Sequence, residues 1–230
     1  MAKLLVIQGE GPTEKSFLQS LLIQHGFLTS EKSPEVFLKE DSLILIAPCF
    51  GMSKKTGKSS LVKKCQYRKL PQIVRAVSKL NSITVDEYHL VITFDTEMTN
   101  ANYQQTLETI KKSAETCFSC VGTTNVFPVK GTIENWFCAG LDNSFTVPLK
   151  NQVIFTKYVN HPKPDTIDGV KDNFYECFSD PYGVTVIASK IGDSFNIELA
   201  KQLSPSFCEY IEHIESICGQ FKKKTNNFSI

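Results

Sequence analysis

The sequence lacks the features that mark membrane, secreted and strongly basic proteins. Its first residues carry an apolar run of only four, at positions 4–7, whereas a membrane span requires roughly 18. No secretory signal precedes the 8 cysteines, so we expect reduced thiols rather than disulfides. Lys+Arg 25 against Asp+Glu 24 leaves a formal net charge of +1, and any nucleic-acid site must therefore be local. We expect a soluble, cytoplasmic protein with no membrane contact.

Several catalytic signatures are also missing. The chain has no G-x-S-x-G sequence and its 4 histidines are dispersed, which argues against hydrolysis by an activated serine or cysteine. In the loop GMSKKTGKS, five residues separate Gly51 from Gly57, whereas the phosphate-binding loop of ATPases has four. Cys117 and Cys120 form a lone C-x-x-C without a second pair at zinc-site spacing, so helix packing explains them better than a zinc site.

The apolar segments of this 230-residue chain alternate between strand and helix patterns. Strands are expected at residues 4–7, 43–47, 89–95 and 124–129. Helices are expected from Thr13, as the N-cap, to Gly26, then up to about residue 80, over 102–116 and over 133–141. This order predicts an α/β fold with a mainly parallel sheet and helices on both faces.

The organisation changes after about residue 150, where the strand and helix alternation stops. We expect an α/β core over residues 1–150, a helical extension packed on that core over 151–220, and a flexible tail over 221–230. In an α/β sheet, ligands bind beyond the carboxyl ends of the strands. The expected functional region therefore lies in the core.

Two acidic pairs follow two of the expected strands. Glu10 stands just beyond the first strand and Glu14 one helical turn later, so both carboxylates can face one point. Asp95 and Glu97 end the third strand with a spacing of two, which aims both to one side. Converging carboxylates repel one another unless a cation is present, and Mg²⁺ and Mn²⁺ prefer such oxygen ligands. The alternative is that Glu14 is a solvated first-turn residue and that Glu97 caps a turn.

The string EGPTEKSFLQSLL after an apolar strand, followed much later by an apolar strand ending in Asp-x-acid, resembles the Toprim domain. Topoisomerases, bacterial primases, small ribonucleases and the overcoming-lysogenization-defect (OLD) nucleases share that domain. Its usual second element is D-x-D, whereas this chain has Asp95-Thr96-Glu97. The resemblance implies a Toprim-like core with a metal-dependent activity on nucleic acid.

Two further strings, GTIENWF at 131–137 and ASKIGDSFNIELAKQL at 188–203, resemble the OLD-type branch in particular. The resemblance implies a hydroxyl-x-Glu element at Thr132 and Glu134 and a catalytic lysine at Lys190, beside Glu10, Asp95 and Glu97. It also implies two metal ions with overlapping ligands: Glu10, Glu14 and Asp95 for one, and Asp95, Glu97, Thr132 and Glu134 for the other. The alternatives are an exposed first-turn residue for Glu134 and a solvated loop lysine for Lys190.

A lysine-rich stretch follows the second expected strand. Lys54, Lys55 and Lys58 lie in it, at the sheet edge where the acidic pairs are expected. Such lysines can hold a phosphate backbone without reading its sequence. The alternative is an ordinary solvated loop.

These patterns predict a Mg²⁺- or Mn²⁺-dependent nuclease that cleaves phosphodiester bonds of DNA or RNA. The resemblance further implies anti-phage defence beside a partner ATPase of the ABC or SMC-like class. A second hypothesis, motivated by Glu97, is a catalytically inactive Toprim subunit that binds or regulates such an ATPase. Priming and strand passage are less favoured, because the chain shows no template-binding module or active-site tyrosine context. DNA versus RNA, nicking versus degradation and the oligomeric state stay open.

Overall fold

The computed structural model describes residues 2–47, 67–96, 103–119, 121–142, 145, 147–159, 161–179 and 183–221. Within them, the strands are β1 (Ala2–Gln8), β2 (Leu28–Ser30), β3 (Ser33–Lys39), β4 (Ser42–Ile46), β5 (Val85–Asp95) and β6 (Thr123–Val129). They form one sheet in the order β2-β3-β4-β1-β5-β6. The strands β4, β1, β5 and β6 are parallel, whereas β3 pairs antiparallel with β2 and β4.

The helices of the described residues fall into two groups. The first four lie between or directly after the strands: α1 (Pro12–Gln24), α2 (Leu70–Leu80), α3 (Tyr103–Phe118) and α4 (Ile133–Gly140). The others follow residue 150: α5 (Gln152–Tyr158), α6 (Val170–Phe174), α7 (Val184–Ser194), α8 (Ile197–Leu203) and α9 (Pro205–Cys218). Two short 3₁₀ turns, Pro164–Thr166 and Tyr175–Cys177, lie before and after α6.

Helices cover both faces of the sheet, as the strand and helix patterns predict. Alternate residues of β1 point to opposite faces, so that Leu5 and Ile7 join one apolar cluster and Leu4 and Val6 another. The first cluster includes residues of α1, α4, α7, α8 and α9, and the second includes residues of α2 and α3. The predicted α/β fold with a mainly parallel sheet is confirmed.

The β2–β3 hairpin is a feature that the sequence analysis missed. Its two-residue connection is Glu31-Lys32, between the paired residues Ser30 and Ser33. The sequence signal for such a turn is Asn-Gly or Asp-Gly, and this hairpin has neither. The hairpin adds two antiparallel strands to one edge of the parallel strands. The local sequence pattern did not predict it.

The helices after residue 150 share a core with the sheet. The helices α1 and α7 pack closely, since a Cβ on Gly192 would overlap the carbonyl oxygen of Phe17 and come within 2.8 Å of Ser20 Cβ. Ser20 and Ser189 are also hydrogen-bonded through their hydroxyl groups at 2.7 Å. Phe221 is buried and packs against Phe27, and the remainder of the predicted tail lies outside the described residues.

Two findings concern membrane contact and thiols. None of the helices that the structure describes is long and apolar enough to cross a bilayer. Among the described cysteines, Cys138, Cys177, Cys208 and Cys218 are not in disulfides.

Candidate metal centre

The turn between β1 and α1 carries the first acidic pair. Gly11 is the N-cap of α1 and Pro12 its first residue, because the fixed φ of proline suits the first helical position. The prediction of Thr13 as the N-cap was therefore wrong, although the helix ends where expected, just before Gly26 with its φ of +85°. This start places Glu14 in the first turn of α1, facing back toward the end of β1.

Glu14 is buried, with only 5% of its surface exposed, so the solvated alternative was wrong. One oxygen of its carboxylate accepts a 2.8 Å hydrogen bond from the Glu10 backbone N–H, and the other accepts one from the Thr93 hydroxyl. Gly9 makes room for this arrangement, because a Cβ there would overlap the carboxylate. Burial raises the pKa of Glu14 to about 7, against the lowering effect of the two hydrogen bonds.

Asp95 reaches the same place from β5. Because β5 lies beside β1 in parallel register, their carboxyl ends meet at one edge of the sheet. Burial, followed by the charges of Glu14, Glu10 and Glu134, raises the pKa of Asp95 well above its ordinary value, and Lys171 opposes the rise. The expected convergence of the two acidic segments is therefore present in the fold.

Glu134 lies on α4, the helix that follows β6, and β6 is the strand beside β5 in the sheet. The turn after β6 is joined to the residue that follows β5 by a 2.9 Å hydrogen bond from the Gly131 N–H to the Thr96 hydroxyl oxygen, and α4 starts just beyond that turn. Glu134 is only 2% exposed, so the exposed alternative was wrong. Its Oε1 accepts a 2.7 Å hydrogen bond from the Tyr175 hydroxyl, whereas Oε2 is buried without a partner among the described residues.

These acidic side chains line one cavity of about 410 Å³ at the carboxyl edge of the sheet. The other described residues around it come from α1, α4, α6, α7 and the 3₁₀ turn after α6. Its lining consists of Glu10, Gly11, Thr13, Glu14, Asp95, Ile133, Glu134, Lys171, Tyr175 and Val184. Four carboxyl groups thus face a single ammonium group among the described lining residues.

Thr132 is the N-cap of α4 and does not belong to that described lining. It is buried, its backbone N–H donates a 2.9 Å hydrogen bond to Oδ1 of Asn135, and its hydroxyl lies 3.4 Å from the same oxygen. Asn135 in turn donates to the carbonyl oxygens of Pro164 and Ile167. The observed contacts of Thr132 thus position α4 and, through it, Glu134.

Lys190 lies on α7 and is not part of the described cavity lining either. The first residue of that helix, Val184, does line the cavity, and Lys190 follows six residues later, roughly 9 Å along a helix axis. Among the described residues that line the cavity, the lysine is Lys171 of α6. Glu97 and the loop lysines Lys54, Lys55 and Lys58 lie outside the described residues.

Three neighbours of the carboxylates were not singled out from the sequence. Thr93 stands two residues before Asp95 on β5 and is fully buried, so strand periodicity could have placed both on one face. Lys171 and Tyr175 belong to the region after residue 150, and no local pattern connects them to the strand ends. Their positions follow from the packing of α6 on α4.

The chemistry of these donors suits a hard divalent cation. Carboxylate oxygens dominate the lining, Glu134 Oε2 is buried without a hydrogen bond from a described residue, and the pKa of Asp95 is raised partly by the surrounding negative charge. Within the described part of the chain, however, no three His, Cys, Asp or Glu side chains are gathered closely enough to hold an ion. The ligand types fit a metal site, and their arrangement is not a closed coordination shell.

Comparisons with known proteins leave the resemblance untested. No protein-family model, curated protein or solved structure matches this chain significantly.

Proposed function

We propose that this chain is a Mg²⁺- or Mn²⁺-dependent nuclease of the Toprim type that hydrolyses phosphodiester bonds in DNA or RNA. The observation that carries the proposal is Glu134 Oε2, an acceptor buried without a described partner in a cavity that three other carboxylates line. A buried polar atom of this kind costs free energy unless it has a ligand. A divalent cation would supply one.

The electrostatics of the cavity support the same ligand. Burial is the main cause of the raised pKa of both Glu14 and Asp95, and the neighbouring carboxylates add to it. A cation bound between these carboxylates would attract their negative charges and lower their pKa values, and it would thereby favour the ionised forms. The cavity therefore has more to gain from a cation than from a neutral or anionic ligand.

Each acidic residue has a definite part in this proposal. Glu10, Glu14 and Asp95 would have to move closer together to hold one ion, and Asp95 and Glu134 would contribute to a second. When bound, two divalent cations supply an activated water and stabilise the departing oxygen of the phosphodiester. Tyr175 keeps the Glu134 carboxylate oriented toward the cavity through its hydrogen bond to Oε1. Glu97, Thr132 and Lys190 retain the roles that the resemblance implies.

The wider context is also part of the proposal. The Toprim and OLD resemblance of the motifs at Glu10, Asp95 and Glu134 supports a role in anti-phage defence with a partner ATPase of the ABC or SMC-like class. The lysines at 54, 55 and 58 would then hold the phosphate backbone beside the site.

One observation favours the alternative of a catalytically inactive Toprim subunit that binds or regulates an ATPase. The acidic side chains of the described residues do not form a ready-made ion site, and Glu14 is engaged with Thr93 and the Glu10 N–H. A subunit without chemistry would keep this arrangement. The two functions differ in whether the carboxylates are needed for cleavage.

The test is cleavage of supercoiled plasmid, single-stranded DNA and total RNA by the purified protein with Mg²⁺ or Mn²⁺, with EDTA as the metal-free control. We compare Glu134→Gln, which keeps the shape but removes the charge, with Glu176→Gln, an exposed glutamate beside Tyr175. Metal-dependent cleavage that is lost in Glu134→Gln and kept in Glu176→Gln supports the nuclease. Folded wild-type protein that cleaves none of these substrates favours the inactive subunit.

A further inference from the structure

Lys171 supplies the positive charge in the described lining of the carboxylate cavity. It lies on α6, it is exposed, and its charge opposes the rise in the pKa of Asp95. Among the described residues it forms no salt bridge within 4.0 Å. Its ammonium group is therefore near the acidic cluster without being neutralised by a direct ion pair.

The backbone around Lys171 is held firmly. Val170 and Phe174 of the same helix are buried in the core to which α4 and α7 also contribute. Tyr175 follows Lys171 by four residues, which places both on one side of a helical turn, and its hydroxyl is bonded to Glu134 at 2.7 Å. This anchoring presents Lys171 to the cavity while the long side chain stays free to meet a ligand.

The charges of the cavity indicate what that ligand would be. Four carboxylates line it beside Lys171, and divalent cations bound there would offset their negative charge. Lys171 adds a positive charge to the same described lining. A phosphodiester is an anion, so the bound cations and Lys171 would both attract it.

We propose that Lys171 contacts the phosphate of nucleic acid bound at the carboxylate cavity. The proposal rests on the proposed function, because it takes a phosphodiester as the ligand and metal ions as its neighbours. Lysine acts on phosphate as a point charge on a flexible stem, which suits a side chain at the open mouth of the cavity. Lys171 belongs to the described lining of the cavity, whereas Lys190 does not.

The experiment measures the binding of fluorescein-labelled single-stranded DNA and RNA in Ca²⁺ over a range of salt concentrations. The variants are Lys171→Gln, Lys171→Arg and the control Lys157→Gln, which changes an exposed lysine of α5 away from the cavity. We expect Lys171→Gln to weaken binding several-fold and to lower the slope of log K against log salt by about 0.7, the value for one phosphate contact on a single strand. Lys171→Arg should keep the slope, and Lys157→Gln should match the wild type. Separate arms with DNA and RNA identify which nucleic acid provides the phosphate.

Binding of Mn²⁺ to the protein alone, followed by electron paramagnetic resonance, separates this inference from the proposed function. Wild-type protein that binds Mn²⁺ and nucleic acid, with Lys171→Gln unchanged in affinity and salt slope, overturns the role of Lys171 alone. Wild-type protein that binds neither overturns both. A smaller salt slope in Lys171→Gln with Mn²⁺ binding retained supports the contact. A structural defect at α6 would weaken binding without lowering the salt slope by the value for one phosphate contact.

Discussion

Tyr175 donates a 2.7 Å hydrogen bond to Oε1 of Glu134, although 41 residues separate them in the chain. Burial and the charge of Glu134 raise the pKa of Tyr175, so its hydroxyl stays protonated and remains a donor. The contact joins the 3₁₀ turn after α6 to α4. The region after residue 150 thereby contributes to the wall of the acidic cavity instead of only covering the sheet.

Removal of the Tyr175 hydroxyl should destabilise the protein. In Tyr175→Phe, the buried Glu134 carboxylate loses the one partner that the described residues provide, and we expect the free energy of unfolding to fall by about 1–3 kcal/mol. Urea denaturation measures the change. The control is Tyr158→Phe, since Tyr158 also packs against Phe174 but no described group is hydrogen-bonded to its hydroxyl. Equal losses in the two variants would contradict the importance of the hydrogen bond.

The absence of a side chain at Gly9 should be essential to the position of Glu14. A methyl group in Gly9→Ala would overlap the Glu14 carboxylate and displace it from Thr93 and the Glu10 N–H. We expect a loss of about 1–3 kcal/mol in unfolding free energy together with weaker Mn²⁺ binding, measured by urea denaturation and paramagnetic resonance. Gly183→Ala is the control, because nothing lies within 4 Å of its added Cβ. A Gly9→Ala protein as stable as that control would show that Glu14 moves at little cost.

The pH dependence of stability should depend on Glu14. Its pKa rises from an ordinary 4.5 to about 7 in the folded protein, so between these values the folded state binds more protons than the unfolded state. This contribution to stability therefore falls as the pH rises from 4.5 to 7, by roughly 3 kcal/mol at most. In Glu14→Gln the contribution is absent, and the variant should gain stability relative to the wild type across this range.

Urea denaturation of metal-free protein at about pH 4.5, 5.5, 6.5 and 7.5, a range that runs from the ordinary pKa of Glu14 to just above the shifted one, checks this expectation. Asp95 acts in the same direction, so part of the slope should persist in Glu14→Gln. The control Glu176→Gln should follow the wild type. A stability difference between wild type and Glu14→Gln that does not change with pH would contradict the raised pKa.

The contact between α1 and α7 should not tolerate even one methyl group. In Gly192→Ala, the new Cβ would meet the Phe17 carbonyl oxygen and approach the Leu21 backbone nitrogen to 3.0 Å. Backbone atoms cannot rotate aside, so the two helices must separate, at a cost of about 1–3 kcal/mol or more. Thermal and urea unfolding measure this cost. Retention of wild-type stability would mean that α7 shifts freely along α1.

The parts of the fold that were predicted correctly depend on neighbours in sequence. The apolar runs at 4–7, 43–47 and 89–95 became β1, β4 and β5, because a strand buried on both faces needs apolar side chains at every position. The spacing of Glu10 and Glu14 likewise predicted that both face one point. The hairpin at Ser30 and Ser33 was missed because its turn lacks the usual residues.

The sequence by itself determined the α/β class, the parallel arrangement and the acidic residues at the strand ends, since short apolar runs, helical spacing and their alternation along the chain encode these features. Only the tertiary structure decided that Glu14 and Glu134 are buried, that Thr93 and Tyr175 are their partners, and that Lys171 rather than Lys190 borders the cavity. The reason is that burial and hydrogen bonding depend on residues far away in sequence: Thr93 lies 79 residues from Glu14. Such contacts arise from the packing of whole elements, which no local pattern contains.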